Sequence, residues 1–473
     1  MESISVFEMI KPGIGPSSSH TMGPWKAAQL FIELLKDQQV LYSVKGLRVF
    51  LYGALAKTGK GHGTDVAILM GLCGKDYKSI DRDSIFEKYH SIQILKQIEL
   101  DGTHALSFDP DNDLIFNYTK SLDFHPNGMI FQAMTDTEQI IQQEYYSIGG
   151  GFIQEGNRNA TVSIMHTCPY PCHHAYQVIE YCKKLNLTRF SDLVYLNERA
   201  WRSDDETNTM ALAIWQIAKQ AMFAGAYSEG ILPGGLNVKR RAYALNQKLL
   251  NIKGELKNID EWIEAIKKSP KDFTTVNKWV SCFALAVNEE NASFGKIVTS
   301  PTNGACGVLP AVLMYAHCFT NANTTEDIIR FILVAGEVGT LFKKNATISA
   351  AMGGCQAEIG VSSAMSAAGL TEVLGGSPSQ VLMAAEIAME HHLGLTCDPI
   401  DGLVQIPCIE RNTMGAIKAI TAANIALESD PAEAKVSLDS VISTLWRTSL
   451  DMNEKYKETS EGGLAITVGL ADC

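Results

Sequence analysis

Beyond about residue 173 the chain repeats one texture: long runs with helical spacing of apolar residues, each cut short by a glycine-rich break. Runs of this kind cover 173–185, 206–226, 328–342, 379–393 and 436–456, and that spacing predicts helices that each bury one face. The breaks include Leu232-Pro233-Gly234-Gly235, Asn303-Gly304-Ala305-Cys306-Gly307, Met352-Gly353-Gly354-Cys355 and Gly375-Gly376. Ala350, Ala351, Ala364, Ala367 and Ala368 are small enough to let helices approach closely. Such a stretch is confined to helix-on-helix packing. The whole chain has 473 residues, more than one hydrophobic core usually serves, so a second unit is expected.

That unit lies in the first part of the chain. Ala27, Leu30, Phe31 and Leu34 predict a helix over 24–36, with Pro24 in its first turn, where a missing N–H does no harm. A strand is expected over 47–55, running into Gly59-Lys60-Gly61-His62-Gly63 and then a helix capped by Thr64 or Asp65. From about residue 91 short β-type runs alternate with turn signals such as Asp109-Pro110-Asp111-Asn112 and His125-Pro126-Asn127-Gly128, which predicts antiparallel sheet. The expected fold class is therefore α+β. An N-terminal α/β domain with antiparallel sheet over 1–165 precedes a mostly helical domain over 173–473, with the boundary in 155–172 near Pro169 and Pro171.

Composition removes several classes of function. Apolar residues at 46% and charged residues at 19% describe a globular chain with a large core. Lys plus Arg number 40 against 52 Asp plus Glu, a formal charge of −12, with no basic block to neutralise phosphates, so no nucleic-acid partner is expected. Glu2, Glu8 and Lys11 break the layout of a signal peptide. The longest uncharged stretch, 297–325, is interrupted by the polar turn Ser300-Pro301-Thr302-Asn303-Gly304, so no membrane span is expected and the reading is cytoplasmic. Eleven cysteines in such a chain read as packing residues, metal ligands or a nucleophile rather than as a disulfide framework.

The cysteines divide by context. Cys168, Cys172, His173 and His174 have the look of a zinc half-site, but no second ligand pair follows at a fixed spacing. Cys73, Cys282 and Cys318 sit in apolar helical contexts and read as packing, as does Cys306, whose loop contains no activating histidine. Cys355, Cys397 and Cys408 each lie where a helical pattern breaks. Their separations match no compact metal motif, yet three thiolates are the number that leaves one iron of a 4Fe–4S cluster open. Before the first helix, Pro16-Ser17-Ser18-Ser19-His20-Thr21 offers hydroxyls and a helix N-terminus suited to a carboxylate, or else an elaborate N-cap. His20 and His62 are candidate proton carriers, or else hydrogen-bonded structural histidines.

Taken together, these motifs resemble the bacterial iron–sulfur L-serine dehydratases. The resemblance rests on Pro16-Ser17-Ser18-Ser19-His20-Thr21-Met22-Gly23-Pro24, Gly61-His62-Gly63-Thr64-Asp65, the stretch from Leu232-Pro233-Gly234-Gly235 to Lys239-Arg240-Arg241, Ser300-Pro301-Thr302-Asn303-Gly304, Met352-Gly353-Gly354-Cys355, the segment from Cys397-Asp398-Pro399 to Ile406-Pro407-Cys408, and the end from Lys457-Glu458-Thr459-Ser460 to Cys473. It implies a single-chain homodimeric enzyme of amino-acid degradation that converts L-serine to pyruvate and ammonia. Its N-terminal domain would resemble a regulatory domain of bacterial 3-phosphoglycerate dehydrogenases. Cys355, Cys397 and Cys408 would hold a 4Fe–4S cluster whose open iron acts as a Lewis acid, and Cys473 would cap that iron until substrate displaces it. His20 or His62 would remove the α-proton, while Ser18, Ser19, Thr21 and Asn303 would hold the carboxylate and amine. The flanking thiols and histidines at Cys168–His174 depart from the family pattern. Two other classes stay open: a pyridoxal-phosphate dehydratase doing the same reaction, for which Gly149-Gly150-Gly151 is the nearest phosphate loop but no lysine context matches, and a non-catalytic amino-acid sensor.

Overall fold

In the computed structural model the described residues are 3–156, 168–251, 256 and 258–469. The described strands are β1 (Lys11–Ile14), β2 (Val44–Tyr52), β3 (Gln97–Leu100), β4 (His104–Ser107), β5 (Leu114–Asn117), β6 (Gly128–Thr135), β7 (Ile140–Ser147), β8 (Ile153–Glu155) and β9 (Lys296–Thr299). Five of them form one sheet in the order β5-β2-β6-β7-β8. Along β2, Val44, Leu47, Val49 and Leu51 are buried, and they pack with the helix Gly23–Asp37, whose Phe31 stacks on Phe131 of β6 at 5.3 Å between ring centroids.

The sheet is mixed where antiparallel pairing was expected. β2 runs parallel to β5, because the chain between them makes a crossover through the helices Thr64–Leu72 and Arg82–Leu95. Residues 91–95 accordingly end a helix, and β3 with β4 forms a separate hairpin. The strand expected over 47–55 is β2, which stops at Tyr52 and turns into the short helix Gly53–Lys57. Neither Thr64 nor Asp65 caps the following helix. Gly63 takes that position at φ 62°, with no side-chain cap, and a Cβ there would lie 2.2 Å from the Phe294 ring. The Thr64 hydroxyl instead donates to the His20 carbonyl at 2.6 Å, and Asp65 accepts from the Tyr89 hydroxyl at 2.8 Å.

The helical runs fold as Ala175–Leu185, Asp204–Ala226, Thr325–Asn345, Pro378–Glu390 and Leu438–Asp451. At their centre lies Ile359–Val373, buried along nearly its whole length. It packs against Thr325–Asn345, Pro378–Glu390 and Cys408–Leu427. Ala364, Ala367 and Ala368 on this helix are fully buried, which is the close approach their size permits.

Two devices join sheet and helices. β1 pairs antiparallel with β9, and Val6, Phe7, Met9 and Ile10 are buried in the helical core rather than beneath the sheet. Glu198 holds that N-terminal segment by accepting from the Ser5 hydroxyl at 2.8 Å and the Val6 N–H at 2.9 Å. Among the described residues no helix is long and apolar enough to cross a membrane.

Candidate functional site

The serine-rich run folds as a five-residue π-helix, Ser18–Met22, leading directly into Gly23–Asp37. Ser17 is its N-cap, accepting from the His20 N–H at 3.1 Å, so the capping reading of this run holds for that serine. Ser19 bridges Ser17 Oγ at 3.2 Å and His20 Nδ1 at 2.9 Å. Thr21 accepts from the Ser17 N–H at 3.1 Å and donates to the His62 carbonyl at 2.8 Å, fastening the two histidine loops together. Ser18 is buried in the same turn.

The two imidazoles stack, with ring centroids 4.4 Å apart, and their hydrogen bonds distinguish them. The Thr58 hydroxyl donates to the Ala54 carbonyl at 3.1 Å, so it accepts from His20 Nε2 at 3.1 Å; Ser19 occupies His20 Nδ1. His62 Nδ1 lies 2.8 Å from the Thr58 carbonyl, which can only accept, so the proton sits on Nδ1. Nε2 is then a bare lone pair, buried and without a hydrogen-bond partner. Burial pushes both imidazoles down, His62 to about 4, and His20 is lowered further by its neighbour His62. Both are neutral near pH 7, the form a base requires.

The helical part supplies the sulfurs. Cys355 sits in the 3₁₀ turn Gly354–Ala357, Cys397 in the loop after Pro378–Glu390, and Cys408 at the start of Cys408–Leu427. The Sγ atoms of Cys355 and Cys397 and a carboxylate oxygen of Glu358 lie within 4.8 Å of one another. Arg411 follows Cys408 on the same helix. It donates to Cys355 Sγ at 3.3 Å and the Thr396 carbonyl at 2.7 Å through Nη1, and to Asp398 at 2.8 Å through Nη2. The Cys397 thiol and the Arg411 charge together hold the Cys355 thiol down to about 7, whereas burial pushes Cys408 up. Burial pushes Glu358 up to about 8. A buried group of thiols, one of them poised to ionise, is a soft donor set suited to iron or zinc.

A strap after Leu438–Asp451 closes the site. Cys397 N donates to the Tyr456 carbonyl at 2.8 Å and Glu458 N to the Cys397 carbonyl at 2.9 Å. The Ser460 hydroxyl donates to the Pro399 carbonyl at 2.6 Å, and Leu464 N to Asp398 at 2.8 Å. Thus Glu458 Oε1 stands 3.6 Å from His20 Nδ1 and 3.9 Å from His62 Nε2, fully buried, with burial holding its carboxyl well above the usual range. Glu358, Asp398, Arg411 and Glu458 are site residues that reading the sequence missed. Two signals were there: the turn-of-helix spacing from Cys408 to Arg411, and a glutamate inside the Lys457-Glu458-Thr459-Ser460 motif.

The remaining candidates have the following partners. Asn303 donates to the Ile14 carbonyl at 2.6 Å and accepts from the Thr299 hydroxyl at 2.7 Å, clasping β1 to β9. Cys306 is buried and its thiol is pushed up by burial. Cys172 donates to the Tyr170 carbonyl at 3.5 Å, and His174 precedes the helix Ala175–Leu185, 3.7 Å from Asp439. Gly149 and Gly150 face Ile348, Ser349 and Pro301 backbone at close range, a packing contact between the two parts of the chain. Cys473 lies outside the described residues.

The family model described as serine dehydratase beta chain matches residues 5–158, and that described as serine dehydratase alpha chain matches residues 129–465. Similar proteins include the L-serine dehydratase of Streptomyces coelicolor, 44% identical over 98% of this chain and 99% of its own length. L-serine dehydratase 1 of Escherichia coli is 45% identical over 98% and 99%. The L-serine dehydratase of Helicobacter pylori is 42% identical over 99% and 100%.

Proposed function

From the premise that this chain belongs to the serine dehydratase family, with the alpha-chain and beta-chain regions in one polypeptide, we propose that it converts L-serine to pyruvate and ammonia. The observation that carries the reading is the meeting of Cys355 and Cys397 with Glu358, within 4.8 Å, in a site where Arg411 faces both Cys355 and Cys408. Cys355, Cys397 and Cys408 would hold a 4Fe–4S cluster, a group their donor chemistry fits. When bound, that cluster supplies an iron with an open position, a Lewis acid worth several kcal/mol to the charge of a departing hydroxyl.

The chain's own residues do the rest. His62 Nε2, with its lone pair unpartnered, takes the α-proton; His20, with both nitrogens engaged, holds the stacked ring in place. Ser19, hydrogen-bonded to His20 Nδ1, and Ser18, next to it in the same turn, would hold the carboxylate. The strap and the buried walls exclude water while the proton moves. The released aminoacrylate tautomerises and hydrolyses in solution to pyruvate and ammonia. In the same reading Cys473 would compete with substrate for a position on that group, at the high effective concentration of a ligand in the same chain. The domains are read as 1–165 and 173–473, with the histidines in the first and the sulfurs in the second.

Protein purified without oxygen is expected to contain iron and sulfide and to make pyruvate from L-serine. Changing Cys355, Cys397 or Cys408 singly to Ala should remove most of the iron and all of that activity, and Cys306→Ala should retain both. A protein that makes pyruvate without iron and loses activity to hydroxylamine would overturn the reading in favour of pyridoxal.

A further inference from the structure

Glu458 is buried and one of its oxygens, Oε2, has no hydrogen-bond partner. Its other oxygen faces His20 and His62, at 3.6 and 3.9 Å. Both rings are neutral near pH 7, so they do not balance a carboxylate. Among the described residues no lysine or arginine pairs with it. Ionising a carboxyl buried without a cation costs several kcal/mol, a cost that an incoming cation would offset.

The backbone adds to that penalty. Glu458 has φ 60°, in the left-handed region that disfavours residues with a Cβ. The conformation is imposed by the pairing of Tyr456 and Glu458 with both backbone groups of Cys397. Strain of this kind persists where the surrounding structure over-determines it, and it gathers at ligand sites. Of the site's other buried carboxyls, Glu358 groups with Cys355 and Cys397 and Asp398 pairs with Arg411, neither with the histidines. Glu458 is thus the carboxyl that faces the proposed base, and among the described residues no cation pairs with it.

Resting on the serine dehydratase reading above, we propose that Glu458 binds the α-ammonium of the substrate amino acid. L-serine has a single cationic group, and it is attached to the carbon that loses its proton. An ammonium seated on Glu458 therefore brings the α-hydrogen toward His62 Nε2, the atom 3.9 Å from the same carboxylate. The assignment makes Glu458 a specificity residue. It favours free α-amino acids over hydroxy acids of the same size and over serine whose nitrogen is acylated, because neither brings a cation to the buried carboxylate.

The test uses full-length, iron-loaded enzyme and two probes: L-serine as substrate, and 3-hydroxypropanoate, which keeps the carboxylate and β-hydroxyl but lacks the ammonium, as competitor. Glu458→Gln should raise KM for L-serine on the order of 100-fold, the scale for losing one partner of a buried charge pair. The inhibition constant of 3-hydroxypropanoate should stay within about twofold, since a tenfold change would need a lost contact worth about 1.4 kcal/mol. An unchanged KM, equal shifts in both constants, or a fall in kcat alone would overturn the assignment. Should the Gln variant fail to retain iron, Glu458→Asp decides. A raised KM for serine at an unchanged 3-hydroxypropanoate constant supports the assignment, and unaltered discrimination between the two overturns it. Iron-loaded wild-type protein that makes no pyruvate from L-serine would overturn the functional reading itself, and the assignment with it.

Discussion

His62 keeps its Nδ1 proton on the Thr58 carbonyl and leaves Nε2 bare, whereas His20 has partners on both nitrogens. His62→Asn should therefore lower kcat by about 10²–10⁴-fold, the usual contribution of a positioned base, with iron content unchanged. His20→Asn should lower it less, and steady-state rates on iron-matched preparations would check the order. A third histidine, His392, tests burial rather than chemistry. It is buried, its Nδ1 lies 2.6 Å from the Ala388 carbonyl, and burial lowers its pKa from 6.5 to about 4. Because the unfolded chain binds that proton more readily, His392 contributes stability fully present above pH 6.5 and lost progressively as pH falls toward 4. Urea unfolding should show a shallower loss of stability between these limits in His392→Gln than in wild type, by up to about 1.4 kcal/mol per pH unit. Equal slopes would mean that His392 does not titrate as its burial dictates.

At the scale of elements, the strap is the part with the narrowest tolerance. Gly463 has φ 61°, and a Cβ there would lie 2.3 Å from Asp398 Oδ2, the atom that accepts from Leu464 N. Asp398 in turn holds Arg411, and Arg411 faces Cys355. One methyl group at this position pushes on the carboxylate that joins the strap to the sulfur site. Gly463→Ala is expected to destabilise the strap by about 1–3 kcal/mol, the cost of a strained backbone site. Limited proteolysis should then cut near the strap faster than in wild type, while the midpoint of global unfolding moves little. A proteolysis rate equal to that of wild type would show that the strap absorbs the change.

The whole molecule is organised by the meeting of its two parts. The histidines come from the part with the sheet and the sulfurs from the helical part, so the site exists only where the two parts meet, and the β1–β9 pair is one of the joints between them. Asn303 clasps that pair from a buried position. Asn303→Ala leaves the Ile14 carbonyl and the Thr299 hydroxyl without this partner, at a cost of about 1–3 kcal/mol for a buried unsatisfied group. The variant should unfold at lower urea and lose activity while retaining iron, because the sulfurs belong to one part and the base to the other. Loss of iron in step with activity would mean that the clasp supports the sulfur site directly.

Helical spacing, glycine breaks and the cysteines beside them are local properties, and the sequence alone determined the long helices, the closely packed alanines and the residues worth suspecting as ligands. Cys355, Cys397 and Cys408 stood out because each lies where a helical pattern breaks, and His20 and His62 because one sits in a serine run before the first helix and the other is flanked by glycines. The parallel pairing of β2 with β5 was not, since a strand's residues do not report the direction of its neighbour; the crossover between them decides that. Nor did the sequence decide between the two histidines or show that Asn303 clasps β1 to β9. Those distinctions depend on which carbonyl or hydroxyl each side chain meets. Glu458 shows the limit most clearly: its motif marked the strap, but the carboxylate acquires meaning only where the folded chain sets it against two histidines from the other end of the sequence. Periodicity encodes which face of an element is buried, whereas the partner across a buried gap is set by packing, and so by the tertiary structure alone.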